Sequence, residues 1–206
     1  MTESPPESSA RLNDDLVVAA RTDRESLGRL FDLYYPSIWN FCVRRVGDRA
    51  TAEDVTSDVF LKIAVGMSRF AGTTEDDFRR WIFRIAINEL NAVWRQSRRR
   101  KSLLVTAVRE GRVRGSEVEE SSHDCVSEQD WPIVQRELSS LPQRDRDVIS
   151  LRYFLGFSDR QIAGIVEIPE NQVRVVLNRA VDKLRKRLGV ETKNENSPGT
   201  QVSPNP

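Results

Sequence analysis

A single histidine, His123, and two cysteines, Cys42 and Cys125, are all that this sequence offers to metal or thiol chemistry. A structural zinc site takes about four ligands at short, regular spacing, and Ser121-Ser122-His123-Asp124-Cys125 supplies two of them. No metal and no cofactor are therefore expected. One histidine also argues against a triad or a histidine acid–base site. Cys42 lies in an apolar pattern and reads as a core residue. It is far from Cys125, and a disulfide is not expected in a reducing compartment. Long apolar runs are missing as well. No stretch approaches the roughly 18 residues of a membrane span, and residues 1–10 lack the apolar centre of a secretory signal. The expectation is a cytoplasmic protein with no membrane insertion. No alternating strand pattern or internal repeat competes with helix. Hydrophobic residues make up 38% and charged residues 31% of the chain, which suits two modest helical units better than one thick core.

What the chain does have is unevenly placed charge. The formal net charge is only +1. Yet residues 79–101 carry eight basic side chains and one acid, Glu89, and residues 131–189 carry eleven basic and seven acidic ones. Between them, residues 105–130 carry three basic and seven acidic side chains. Two basic bodies on either side of an acidic strap point to two contacts with a polyanion.

The expected fold class is all-α, with two small helical domains joined by a flexible linker and a helix-turn-helix in the second. Residues 1–13 and 190–206 are expected to be disordered on composition. In the first domain, 14–103, Asp14 or Asp15 starts a helix that Pro36 breaks. Ile38, Phe41, Cys42 and Val46 carry the next one to Gly47, with Trp39 in the core. Thr51 and Asp54 resemble a capping box opening a third helix, whose buried face holds Ala52, Val55, Val59, Ile63 and Met67. A long fourth helix runs from Glu75 to about Lys101. Residues 104–130 are the linker. In the second domain, 131–189, helices are expected at about 132–139, 143–154, 159–166 and 170–188, separated by Pro142, Gly156 and Pro169 and stopped by Gly189.

The last two of these helices make the strongest motif. Ser158 caps a short helix in which Ile162 and Val166 point inward and Ala163 is small enough for a close crossing. A turn follows, with Glu167 at a position that often holds glycine. Val173, Val176, Leu177 and Ala180 then bury one face of the second helix. Its other face carries Glu170, Asn171, Gln172, Arg174, Val175 and Asn178, at the positions that reach base edges in a major groove. Arginine pairs with guanine, asparagine and glutamine with adenine, and valine touches a thymine methyl. Arg179, Lys183 and Lys186 lie further along, where they would neutralise phosphates.

Two further segments carry chemistry. Phe70, Phe78, Trp81 and Trp94 are interleaved with Arg69, Arg79, Arg80 and Arg95, the pairing of aromatics and cations that holds unpaired bases. Trp81 and Phe78 also read as core residues. On the helix beginning near Ala52, Asp54, Ser57, Asp58, Leu61 and Val65 form a second, mixed acidic and apolar face that suits a partner helix.

Taken in order, these segments resemble an RNA polymerase sigma factor of the bacterial extracytoplasmic-function group, over about residues 12–188. Ala52-Glu53-Asp54-Val55 with Asp58-Val59-Phe60-Leu61-Lys62 resembles the polymerase-binding helix of sigma domain 2. Phe78-Arg79-Arg80-Trp81-Ile82-Phe83-Arg84-Ile85-Ala86, then Asn88, Trp94-Arg95 and Arg98-Arg99-Arg100, resembles its promoter-melting helix. Leu141-Pro142-Gln143-Arg144-Asp145-Arg146-Asp147-Val148-Ile149 and Gly156-Phe157-Ser158 resemble sigma domain 4. The resemblance implies a protein that is not an enzyme, and partners in core RNA polymerase (the β′ clamp helices and the β flap), promoter DNA and a sequestering anti-sigma factor. It implies that Glu170, Asn171, Gln172, Arg174, Val175, Asn178, Arg179 and Lys183 read the −35 element. It assigns Phe70, Arg80, Asn88, Asn91, Ala92, Trp94, Arg95, Arg98 and Arg99 to the −10 element and its melting, and Asp54, Ser57, Asp58, Leu61, Lys62 and Val65 to core polymerase. Ala92 stands where the family usually has an aspartate. A stand-alone helix-turn-helix regulator is the competing reading, and the basic, aromatic-studded helix at 78–101 argues against it. No phosphate loop or nucleophile arrangement supports an enzyme.

Overall fold

The computed structural model describes residues 7–109 and 131–189, with backbone alone at 7–12, 101 and 104–109. His123, Cys125 and the acidic stretch from 110 to 130 lie outside the described residues. The described chain is helical throughout. The first unit consists of α1 (Glu7–Ala19), α2 (Arg24–Val46), α3 (Arg49–Gly66), a 3₁₀ turn (Met67–Arg69) and α4 (Glu75–Arg109). The second consists of α5 (Trp131–Ser140), α6 (Gln143–Leu155), α7 (Asp159–Val166) and α8 (Glu170–Leu188). No described helix is long and apolar enough to cross a membrane.

Local chemistry explains most helix ends, and tertiary packing explains the departures from expectation. α1 begins at Glu7, inside the stretch expected to be disordered. Pro36 lies within α2 and does not break it. A proline inside a helix costs about 3 kcal/mol, but Leu30, Tyr34, Ile38, Phe41 and Cys42, buried on both sides of it, hold the helix as one rod. The break falls instead before Asp23, whose carboxylate accepts the Ser26 amide at 2.7 Å as the N-cap of α2. Gly47 ends α2 at φ +77°, a conformation that glycine adopts without strain. Asp48, standing just after that turn, caps α3 by accepting the Thr51 amide at 2.8 Å. Thr51 is therefore already inside the helix and is not its cap. α4 continues to Arg109, into the segment assigned to the linker. No glycine or proline interrupts residues 75–110, so nothing in the chain stops it earlier.

The core of the first unit is the stripe Ala52, Val55, Val59, Ile63 and Met67 of α3, packed against Leu30, Ile38 and Phe41 of α2 and Phe78, Ile82, Phe83 and Leu90 of α4. Trp39 does not join it; the ring is half-buried, with the Arg49 guanidinium 5.8 Å from its centre. In the second unit Leu138, Leu141, Ile149 and Ala180 form a smaller cluster. The larger cluster does not stop at the unit boundary. Val148, Leu151, Phe157, Ile162 and Val173 belong to it, and Phe83 of α4 meets Phe157 edge-on with ring centres 5.5 Å apart.

Candidate nucleic-acid interface

The helix-turn-helix is built from three local devices. Ser158 and Gln161 form a reciprocal capping box at the start of α7, the Ser158 amide donating to Gln161 Oε1 at 2.9 Å and the Gln161 amide to Ser158 Oγ at 3.3 Å. Glu167 closes α7 at φ 56° and ψ 51°, a left-handed conformation, and is the one non-glycine with positive φ among the described residues. Its position explains why glycine is common there: a side chain costs about 1–2 kcal/mol in this region. Pro169 then opens α8, its carbonyl accepting the Gln172 amide at 2.9 Å. Val173, Val176 and Ala180 are buried on α8, and Ile162 and Ile165 on α7.

With that face buried, α8 presents Glu170, Asn171, Gln172, Arg174, Val175 and Asn178 together, all exposed. Val175 is 65% exposed, an apolar side chain left in water on an otherwise polar face. Arg179 and Lys183 are placed differently. They reach back to Asp145 of α6, at 2.6 Å and 2.7 Å, and this carboxylate is fully buried. Burial alone would push the Asp145 carboxyl up, but the bonds from Lys183 and Arg179 outweigh it and hold it below the usual range. Both cations therefore brace α8 against α6 as well as standing near its reading face.

The residues assigned to the −10 element do not form one open surface. Asn88, Arg95, Arg98 and Arg99 on α4 are exposed. Arg80 turns back to Asp77 of its own helix at 2.5 Å and to Asp76 at 3.3 Å. Phe70 is half-buried and stacks on Trp81, ring centres 4.8 Å apart and 28° from parallel. Ala92 and Trp94 are half-buried, and Asn91 is buried, its Nδ2 donating to Asp147 Oδ2 at 3.0 Å. Asn91 is thus not at the surface, because α6 packs over it. A polar cleft of about 360 Å³ is lined by Arg84, Asn88 and Asn91 of α4 and by Arg144 and Glu167 of the second unit.

The third face is on α3. Asp54, Ser57, Asp58, Leu61, Lys62 and Val65 are all exposed, Leu61 at 63% and Val65 at 73%. Lys62 also pairs with Glu89 of α4. Beside this stripe runs an apolar groove of about 380 Å³ between α2 and α3, lined in part by Leu27, Phe31, Phe60 and Ala64. Phe31 and Tyr35 remain partly in water there, with Phe31 4.2 Å from the Phe60 ring centre. Sequence reading passed over both aromatics. Their spacing of four residues on one helix face was the signal that could have found them.

Comparison with known proteins matches both halves of this arrangement. The family model for sigma-70 region 2 matches residues 30–100, and that for sigma-70 region 4 matches residues 132–184. The chain is 30% identical to the ECF RNA polymerase sigma factor SigL of Mycobacterium tuberculosis, over 82% of this chain and 93% of that one. It is 30% identical to the ECF RNA polymerase sigma-E factor of Escherichia coli, over 87% and 96%, and 28% identical to BldN of Streptomyces coelicolor, over 87% and 67%. Among solved structures, CnrH in complex with the cytosolic domain of CnrY shares the fold with a TM-score of 0.64 at 18% identity, covering 87% of this chain and 99% of that one. The sigma factor RpoE of Bartonella quintana, solved with the anti-sigma factor NepR, does so with 0.57 at 22%, covering 80% and 98%.

Proposed function

The chain belongs to the extracytoplasmic-function group of the sigma-70 family, and from that premise we propose how its surfaces divide the work of starting transcription. It binds core RNA polymerase and directs initiation at chosen promoters, and its own groups recognise and position rather than catalyse. The α8 face from Glu170 to Asn178 reads the −35 element in the major groove. This is the observation that carries the reading: six base-reaching side chains, all exposed, on the second helix of a capped helix-turn-helix. α4 holds the −10 strand through Asn88, Arg95, Arg98 and Arg99, with Asn91, Ala92 and Trp94 available where α6 moves aside. Phe70 and Arg80 mark the neighbouring loop side of that surface. The α3 stripe of Asp54, Ser57, Asp58, Leu61, Lys62 and Val65 docks on the β′ clamp helices, and the second unit meets the β flap. Two modest contacts held on one chain reinforce each other through effective concentration. An anti-sigma factor is a further partner in this reading, as the sigma factor RpoE of Bartonella quintana was solved in complex with one.

Reconstitution tests the reading. Purified chain added to core polymerase should produce transcripts starting at defined sites on genomic DNA. Operator-type binding without polymerase, and no initiation with it, would overturn the proposal in favour of a stand-alone regulator.

A further inference from the structure

The loop at 70–74, which joins the 3₁₀ turn to α4, is held from outside by the chain that precedes α2. Arg21, in the turn between α1 and α2, donates from Nη2 to the Gly72 carbonyl, and its guanidinium carbon lies 6.0 Å from the centre of the Phe70 ring. The same ring stacks on Trp81 and meets Phe78 edge-on, the latter with ring centres 5.9 Å apart. At the other end of the loop Asp14 of α1 accepts the amide of Glu75, the first residue of α4, at 2.6 Å. Asn13 of α1 and the Tyr34 hydroxyl of α2 each donate to the Glu75 carboxylate at 2.9 Å. Residues 13–21 thus tie the loop down at its middle and at its end.

The loop's own bonds do less. Asp77 Oδ2 accepts the Thr73 and Thr74 amides at 3.3 and 3.4 Å, both long for N–H···O bonds. They shape the start of α4 without reaching Phe70. Gly72 is packed tightly: a Cβ there would come 2.4 Å from Phe70 Cζ and 2.5 Å from Asp77 Cβ. Arg21 is the side chain that joins the Gly72 backbone to the Phe70 ring. Among the described residues it has no carboxylate partner, and its Nε is buried without a hydrogen bond. A half-buried guanidinium without a carboxylate adds little to stability, because no opposite charge offsets its desolvation. What it supplies is a rigid, planar donor set against one carbonyl and one ring.

We infer that Arg21 is a positioning residue for the −10 surface: from the α1–α2 turn it holds the 70–74 loop in one conformation, and with it the Phe70 ring that receives an unpaired promoter base. A loop that is already ordered gives up less entropy when it captures a strand. α1 and the turn behind it then act on promoter opening without touching DNA. This role presupposes that Phe70 belongs to the −10 surface.

Two measurements on the full chain test it. In the free protein, Arg21→Ala should speed amide exchange at 72–75 about tenfold, the scale of one lost hydrogen bond from a charged donor. Exchange in α2 and α3 and the helical circular dichroism spectrum should stay as in wild type. In holoenzyme, the same change should weaken binding of a single-stranded oligonucleotide carrying the −10 sequence of a start-site-mapped promoter, again about tenfold. Affinity for core polymerase and for a −35 duplex should not move. In a cycle with Phe70→Leu, which keeps an apolar side chain and removes the ring, the two losses in strand binding should not add, because Arg21 acts through that ring. Wild-type exchange in Arg21→Ala would overturn the positioning role. So would additive losses with a shallower salt dependence, the mark of a direct phosphate contact, and so would equal weakening of core, −35 and −10 binding, the mark of a general loss of structure. If Phe70→Leu captures the strand as well as wild type, the −10 assignment of Phe70 fails, and exchange in the loop still decides whether Arg21 braces it.

Discussion

Replacing Asp147 with alanine removes the carboxylate that pairs with the buried Arg45 guanidinium, and it strips Asn91 of its acceptor. Both side chains of the pair are essentially out of water, at 0% and 5% exposure. Breaking such a pair costs about 3–5 kcal/mol, because an uncompensated charge stays buried. In a cooperative unfolding unit of this size each kcal/mol lowers Tm by about 2–4 °C, so a rigid molecule would lose roughly 6–20 °C. This chain has an alternative. If α6 lifts from α4, Arg45 and Asn91 are hydrated, and the penalty is capped by the free energy that holds the two units together. Asp147→Ala should therefore enlarge the radius seen by small-angle scattering and speed amide exchange along α4 near Asn91, while helix content stays constant. The double variant Arg45→Met with Asp147→Leu replaces the pair by apolar groups, an exchange that is often neutral or stabilising, and should return the closed radius. Wild-type radius, Tm and exchange in Asp147→Ala would refute the reasoning. So would a double variant as open as the single one, since the cause would then be volume rather than charge.

Other perturbations separate the remaining surfaces. Leu61→Glu, at a position 63% exposed, should leave the helical circular dichroism spectrum intact and abolish pull-down of core polymerase; retained binding would remove α3 from that role. Arg174→Ala should weaken holoenzyme binding to a −35 duplex by about 1–3 kcal/mol, if the guanidinium pairs with a base edge, without changing Tm. At Glu167, φ 56° penalises any side chain. Glu167→Gly should stay within about 1 kcal/mol of wild type in urea unfolding, relief of strain being offset by glycine's entropy and an exposed ion pair lost. Glu167→Val should lose about 1–2 kcal/mol, being β-branched in the left-handed region. Asp145, depressed below 3.8 by Lys183 and Arg179 against the effect of burial, contributes stability that is present above the unfolded pKa and lost as pH falls through the folded one. Asp145→Asn should accordingly flatten the acid side of the stability–pH curve, and an unchanged acid limb would remove the brace from the account.

How much was legible in the sequence depends on the distance over which each signal acts. The helix-turn-helix was readable because its determinants are local. Ser158 and Gln161 cap each other across three residues, and Glu167 and Pro169 punctuate the turn. α7 and α8 duly span Asp159–Val166 and Glu170–Leu188, as expected. Pro36 and Thr51 misled because their local signals compete with stronger neighbours: a buried stripe that keeps α2 continuous, and Asp48 just beyond the Gly47 turn. Arg45, Arg146 and Asp147 gave no warning at all. Charged residues inside apolar patterns read as helix faces in water, and the partner that buries Arg45 lies 102 residues away.

By itself, then, the sequence determined the helices, their caps, the apolar stripes and the polar face of α8, since each depends on side chains within a turn or two of one another. Only the tertiary structure decided which of those faces remain in water. It left the stripe on α3 and the reading face of α8 open and placed α6 over Asn91 and Trp94. Burial is a property of what two distant segments do to each other, and no spacing along the chain encodes it.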